Sequence, residues 1–166
     1  VVPNHMAYDS DNAMLMDIFE NGPLSLYSSY FDLKFDHQYD NLKNKILAPF
    51  LGEFYGNCLE KNQIQLVFNQ SGFFIRYANW NFPLRLESYL TILMYDSEFI
   101  PNQIREIGEL LKNAIAAADP QERRQQVSVI KSLLWRFYNG DEIIKSYVVK
   151  SLHRINHKTP DSPLFD

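Results

Sequence analysis

The chain has 166 residues and a mass of 19.5 kDa, which is the size of one ordinary domain with a sizeable core. Apolar residues make up 46% of it and charged residues 22%, which excludes a disordered protein. Because the formal net charge is −4 and no apolar run approaches the roughly 20 residues of a membrane span, we expect neither a nucleic acid nor a membrane as partner.

The chain opens on a pattern that is typical of the end of a buried strand. Two β-branched valines come first, then Pro3, which cannot donate to a sheet ladder, and then the polar Asn4 and His5. Since domains rarely begin inside a core strand, residues 1–8 are predicted to be the end of a barrel strand and its loop, cut from a longer protein. Barrel enzymes place their chemistry at such strand ends, although a lone histidine there is more often structural.

Residues 9–96 are predicted to form an α+β region. A helix should begin near Asn12, where capping residues precede apolar residues at helical spacing, and end at Asn21-Gly22-Pro23. Residues 30–36 alternate weakly and predict a short strand, and a short helix is expected over residues 54–61.

The clearest β signal in the chain is a hairpin. Residues 63–68 and 73–77 are strand-like runs, and Asn69-Gln70-Ser71-Gly72 between them is favourable turn chemistry. Phe82-Pro83-Leu84 should follow as an edge strand or extended segment.

Residues 97–158 are predicted to be helical, and residues 159–166 to be a linker. Asp119-Pro120 and Asn139-Gly140-Asp141 separate three amphipathic helices. The apolar stripes are Ile104, Ile107, Leu110, Leu111 and Ile115, then Val127, Ile130, Leu133, Leu134 and Phe137, and then Ile144, Val148, Leu152 and Ile155. The expected fold is therefore α+β, with short strands and a hairpin first, antiparallel helices second, and one shared core.

The familiar catalytic motifs are absent from the sequence. It has no Gly-rich phosphate loop, no G-x-S-x-G elbow and no H-E-x-x-H, and no carboxylate pair stands out as placed for glycoside chemistry. His153 and His157 are four residues apart on a predicted helix, but no third ligand is evident, so a surface pair is the better interpretation. We predict no metal and no cofactor.

Cys58 is the single cysteine, which excludes an internal disulfide framework and favours a reducing cytoplasm. It has no activating neighbour and is predicted to be a small core residue. No leader peptide is visible. The 12 Phe, 10 Tyr and 2 Trp include rings that would suit a sugar site, but most are expected to fill the core.

Several segments resemble known carbohydrate enzymes. Val1-Val2-Pro3-Asn4-His5 resembles the end of the third barrel strand in the alpha-amylase family, whose pattern is Asp-x-x-x-Asn-His, except that the aspartate would precede Val1. The following residues are similar, in order, to maltooligosyl trehalose synthases, or to a sister branch of unassigned specificity. The matching stretches are Asp17-Ile18-Phe19-Glu20-Asn21-Gly22-Pro23, Ser25-Leu26-Tyr27, Phe31-Asp32, Ile46-Leu47-Ala48-Pro49-Phe50-Leu51-Gly52, Tyr55-Gly56, Leu59-Glu60, Phe74-Ile75-Arg76-Tyr77 and Phe82-Pro83-Leu84.

The resemblance implies a (β/α)₈ barrel parent enzyme in which this chain is the insertion after the third strand. Such enzymes act on maltooligosaccharides or α-1,4-glucans with retention, and the trehalose synthases isomerise the terminal α-1,4 bond to an α,α-1,1 bond. Their catalytic carboxylates belong to later barrel strands, so none is carried over, and the barrel is the expected partner in cis. His5 is expected to hydrogen-bond a sugar hydroxyl at the cleavage site, and Asn4 to brace its loop.

Two other functions fit the sequence. The chain could be a maltooligosaccharide-binding module without catalysis, or a helical protein-interaction module that uses the three amphipathic helices. Glu20-Asn21-Gly22 has no expected role beyond a well-formed turn that faces the cleft.

Overall fold

The structure, a computed structural model, describes residues 11–46, 50–94 and 99–157 and shows the expected mixed α+β fold. Asn4, His5 and the linker at 159–166 lie outside the described residues. The strands are β1 (Ile64–Asn69), β2 (Gly72–Tyr77) and β3 (Trp80–Pro83), which form an antiparallel sheet in the order β1-β2-β3. The helices are α1 (Ala13–Asn21), α2 (Tyr55–Glu60), α3 (Leu86–Leu93), α4 (Asn102–Ala116), α5 (Pro120–Gly140) and α6 (Glu142–Asn156).

Helix α1 confirms the predicted capping. The Asn12 side chain accepts a hydrogen bond from the Leu15 amide at 3.1 Å, and the helix gives way to Gly22, whose φ of +59° suits a residue without a Cβ. The predicted helix over residues 54–61 is also present, as α2.

The predicted strand over residues 30–36 was wrong. Alternate residues there are half-buried, as the sequence suggested, but the backbone pairs with no other strand among the described residues. Instead, the Leu33 amide donates to the Phe31 carbonyl, and the Asn44 amide donates to the Phe35 carbonyl. The alternating pattern therefore predicted correctly which residues are buried. A strand, however, also requires a neighbouring strand with which its backbone can form hydrogen bonds.

The hairpin formed as predicted. β1 and β2 pair from Ile64 with Tyr77 to Asn69 with Gly72, and the Asn69 side chain accepts from the Ser71 amide at 2.8 Å within the turn. The outer edge of β1 is covered by Asn156 of α6, whose amide donates to the Leu66 carbonyl at 2.8 Å and accepts from the Leu66 amide at 2.7 Å. These two bonds satisfy edge groups that would otherwise be open to another strand.

Helix α3 was not predicted by the sequence. It has no side-chain cap, but Leu86, Tyr89 and Leu93 recur at helical spacing and are fully buried. It lies at the centre of the fold, because it contacts both α4 and α6.

The three predicted C-terminal helices are confirmed, with one change of face in α4. Its buried residues include Gly108 and Ala114, whereas Leu110 is exposed. Gly108 permits a close approach, since a Cβ there would lie 2.1 Å from the Met94 methyl carbon. One hydrophobic cluster joins the sheet to α3–α6 and confirms the shared core; it includes Leu66, Phe73, Leu86, Tyr89, Ile107, Leu111, Ile130, Leu134, Ile144 and Val148.

Candidate functional site

A cleft of about 590 Å³ lies between α1, the β1–β2 turn and α5. Its walls combine carboxylates, amides and hydroxyls with aromatic and aliphatic surface. Residues that line it include Asp11, Asp17, Glu20, Asn21, Tyr27, Gln70, Ser71, Phe74, Arg124, Val127, Ser128 and Lys131. This volume falls within the roughly 300–1,000 Å³ that is usual for small-molecule sites.

An ion pair connects the two helical walls of this cleft. The Lys131 ammonium on α5 binds the Glu20 carboxylate on α1, and the two side chains are only 17% and 14% exposed. Burial raises the pKa of Glu20, and the Lys131 charge only partly opposes that rise. The Asp17 carboxylate, one turn earlier on α1, raises the pKa of Glu20 further.

Below the pair, the Tyr89 hydroxyl accepts a hydrogen bond from the Phe73 amide at 3.0 Å. Burial and the nearby Glu20 charge raise the pKa of Tyr89, so this phenol stays protonated at neutral pH. Glu20, Lys131 and Tyr89 are therefore neighbouring polar groups beside the apolar core.

A second network fixes the turn that follows α1. The Ser25 hydroxyl donates to the Asp17 carboxylate at 2.5 Å and accepts from the Tyr27 amide at 3.1 Å. The Asn21 amide donates to the carboxylate and to the main-chain oxygen of Asp17, both at 3.2 Å. These bonds hold Tyr27 at the rim of the cleft.

The predicted sugar-contacting residues, Asn4 and His5, lie outside the described residues, and Asp11, where the described chain begins, lines the cleft. Glu20 and Asn21 line it as well, although no role beyond a turn was expected for them from the sequence. Lys131 was missed, because no local pattern links it to Glu20. The pairing of Lys131 with Glu20 becomes evident only from the packing of α5 against α1.

The remaining candidate residues, two histidines and a cysteine, do not line the cleft. The rings of His153 and His157 lie 3.7 Å apart on the surface, and within the described ranges no group of three or more His, Cys, Asp or Glu is arranged to hold a metal. Cys58 is completely buried and confirms the prediction of a core residue. Among the described helices, none combines the length and apolar character needed to cross a bilayer.

Comparison with known proteins does not identify the cleft. No protein-family model, no curated protein sequence and no solved structure matches the chain. Function must therefore be inferred from the residues and their geometry.

We expect Glu20→Gln to change how stability depends on pH. The native pKa of Glu20 is raised above its ordinary value of 4.5. At pH values between 4.5 and the native pKa, the folded state therefore binds more protons than the unfolded state. The contribution of Glu20 to the free energy of unfolding is therefore greatest at acidic pH and falls as pH rises through the native pKa. The stability of the wild type relative to Glu20→Gln should fall as pH rises from the ordinary pKa of 4.5 through the raised native pKa.

Urea unfolding at a series of pH values checks this expectation, because it gives the difference in free energy directly. Glu106→Gln, which removes an exposed carboxylate from α4, controls for the loss of one negative charge. A difference between wild type and Glu20→Gln that rose with pH would contradict the expectation.

Proposed function

We propose that this chain is the active-site-bordering insertion domain of an alpha-amylase family enzyme that acts on α-1,4-glucans. The parent enzyme is of the maltooligosyl trehalose synthase type and works in the cytoplasm. It converts the reducing-end α-1,4 bond of a maltooligosaccharide into an α,α-1,1 bond by intramolecular transglucosylation. The catalytic barrel is supplied in cis. His5 and Asn4 of this chain belong to the substrate-binding site, where His5 hydrogen-bonds the sugar at the cleavage site and Asn4 braces the loop.

One observation carries the proposal: residues 17–27, which belong to the ordered series that resembles the family, form a wall of the polar cleft. Asp17, Glu20, Asn21 and Tyr27 are the residues of this segment that face it. A glucan offers hydroxyls that both donate and accept hydrogen bonds, together with flat C–H faces that pack on aromatic rings. Carboxylates, an amide and a tyrosine suit that chemistry.

The proposed reaction assigns different tasks to the barrel and to this chain. A barrel aspartate attacks the anomeric carbon, a barrel glutamate protonates the departing oxygen, and a glycosyl-enzyme intermediate forms. The released glucose then turns and attacks that carbon through its own anomeric hydroxyl, and the glutamate takes up its proton. This route succeeds only if glucose is retained and water is excluded, and an insertion that walls the barrel mouth serves both needs.

A maltooligosaccharide-binding module without catalysis is the second candidate, because the cleft is built within this chain alone. The helical interaction module receives less support, since most of the apolar stripe residues of α4, α5 and α6 pack into the shared core. Calorimetry with maltoheptaose separates the two carbohydrate functions. Tight binding by the isolated chain favours the binding module, because part of an active site should bind only weakly.

The proposal predicts that the purified 166-residue chain releases no glucose from maltoheptaose and forms no trehalose-ended product. In the complete enzyme, His5→Ala should lower kcat/KM for maltooligosaccharides by about tenfold or more, because a hydrogen bond to the reacting sugar is lost. His153→Ala, which changes an exposed histidine, is the matched control.

The coding sequence on either side of the chain provides a direct test. We expect an aspartate codon immediately before Val1, and codons for the barrel strands with their catalytic carboxylates after Asp166. Turnover by the isolated chain that survives controls for contaminants would refute its inactivity. Flanking sequence without barrel strands would refute the enzymatic assignment itself.

A further inference from the structure

Asn21 leaves one polar atom without a partner at the cleft. The residue is 5% exposed, and its Nδ2 donates to two oxygens of Asp17. Since both partners are acceptors, the orientation of the amide is fixed, with Oδ1 turned away from them. That Oδ1 accepts no hydrogen bond from any described residue. A ligand that donated a hydrogen bond there would compensate its desolvation.

The charges and surfaces around Asn21 favour a neutral polyhydroxyl ligand. The cleft carries three carboxylates and two cations, so an anion is disfavoured, and one cation already binds Glu20. The walls contain both donors and acceptors, and aromatic rings provide flat faces for C–H groups. The residues concerned are Asp11, Asp17, Tyr27, Phe74, Arg124 and Lys131.

The Oδ1 atom of Asn21 has less than 1 Å² of exposed surface, so a hydroxyl reaches it only after the cleft wall adjusts. That wall includes the Tyr27 side chain, which lies on a turn rather than in an α-helix or strand. Rotation of this side chain breaks no helical or sheet hydrogen bond.

We infer that Asn21 accepts a hydrogen bond from a hydroxyl of a neutral sugar in this cleft, with Asp17 and Lys131 beside it as further acceptor and donor. Asn21 is thereby a specificity-determining residue for sugars. The inference rests on the proposed function for the choice of α-linked glucose. It deepens that function by placing a sugar contact within this chain that is separate from residues 1–8.

The test is an NMR titration of the 166-residue chain with maltose, in which backbone amide shifts are followed. We expect saturable shifts in α1 and in the β1–β2 turn, and affinity about tenfold weaker in Asn21→Ala, because one hydrogen bond to the sugar is lost. Asn139→Ala is the matched control, because the Asn139 amide also donates to the carbonyl four residues earlier, at 2.9 Å, but lies outside the cleft.

A steric variant covers the case in which Asn21→Ala fails to fold. Ser128 is exposed and lines the cleft, so Ser128→Trp should fill it and abolish the shifts. Gln125→Trp places the same ring on an exposed position of α5 away from the cleft and should leave binding intact.

Other ligands distinguish failure of the inference from failure of the proposed function. Cellobiose binding as tightly as maltose, with the same dependence on Asn21, would support the sugar site and contradict the α-1,4-glucan assignment. If Asn21→Ala and Ser128→Trp both left maltose binding unchanged, the inference would be overturned, but the proposed function would not. It would also be overturned by the absence of saturable shifts with maltose, or by tighter binding of sulfate or cadaverine at the same amides.

Discussion

Arg123→Met is expected to lower the free energy of unfolding by about 2–4 kcal/mol, an unusually large effect for a charged residue. Arg123 is 1% exposed. Its guanidinium donates to the carbonyls of Ala114 and Ile115 at 3.1 and 3.4 Å, and to the Glu87 carboxylate at 3.2 Å. Those carbonyls belong to the last turn of α4 and have no partner further along that helix. The Arg123 cation also interacts favourably with the negative, C-terminal end of the α4 dipole.

Arg124→Met is the matched control, because it alters the next residue on α5, which is exposed. It should change stability by less than about 0.5 kcal/mol. Glu87→Gln should cost less than Arg123→Met, because the neutral amide oxygen can still accept from Arg123 and the guanidinium keeps its bonds to the carbonyls of Ala114 and Ile115. Urea unfolding followed by circular dichroism measures all three variants. Equal losses in Arg123→Met and Arg124→Met would contradict the assignment of a buried structural role.

The sequence could predict the elements whose signals are local. Asp119 and Asp141 cap α5 and α6 as expected, with side-chain oxygens that accept from the amides of Glu122 and Ile143 at 2.9 and 2.8 Å. Helix α3, which starts without such a cap, was not predicted. At residues 30–36 the error was the opposite one, because a strand was predicted where none forms. The burial pattern was predicted correctly, but no other described strand pairs with this segment, and a sheet requires such pairing.

The candidate site depended on contacts that no local pattern encodes. Glu20 and Lys131 meet only because α1 and α5 lie on either side of the hairpin turn. Arg123 does carry a signal, since it lies four residues before Val127 and so on the buried stripe of α5. Helical phase therefore distinguishes it from Arg124, although its carbonyl partners on α4 become evident only in the fold.

Gly72→Ala is expected to be the most damaging of these substitutions, with a loss of about 4 kcal/mol or more. Gly72 begins β2 with a φ of +112°, a conformation that residues with a side chain rarely adopt. A Cβ there would lie 2.1 Å from the Tyr89 hydroxyl oxygen and 3.1 Å from Lys131 Cε. Lysine can shift, but Tyr89 is fully buried and is held by the Phe73 amide.

A double-mutant cycle with Tyr89→Phe separates the clash from the backbone strain. Tyr89→Phe alone should cost about 1–3 kcal/mol, because the buried Phe73 amide loses its acceptor. It also removes the atom that a Cβ at Gly72 would strike, so Gly72→Ala should cost about 2 kcal/mol less in that background. Gly140→Ala meets no atom within 4 Å at the end of α5 and should be neutral or stabilising. Strict additivity in urea unfolding would show that strain at φ +112°, and not the Tyr89 hydroxyl, is what requires glycine at this turn.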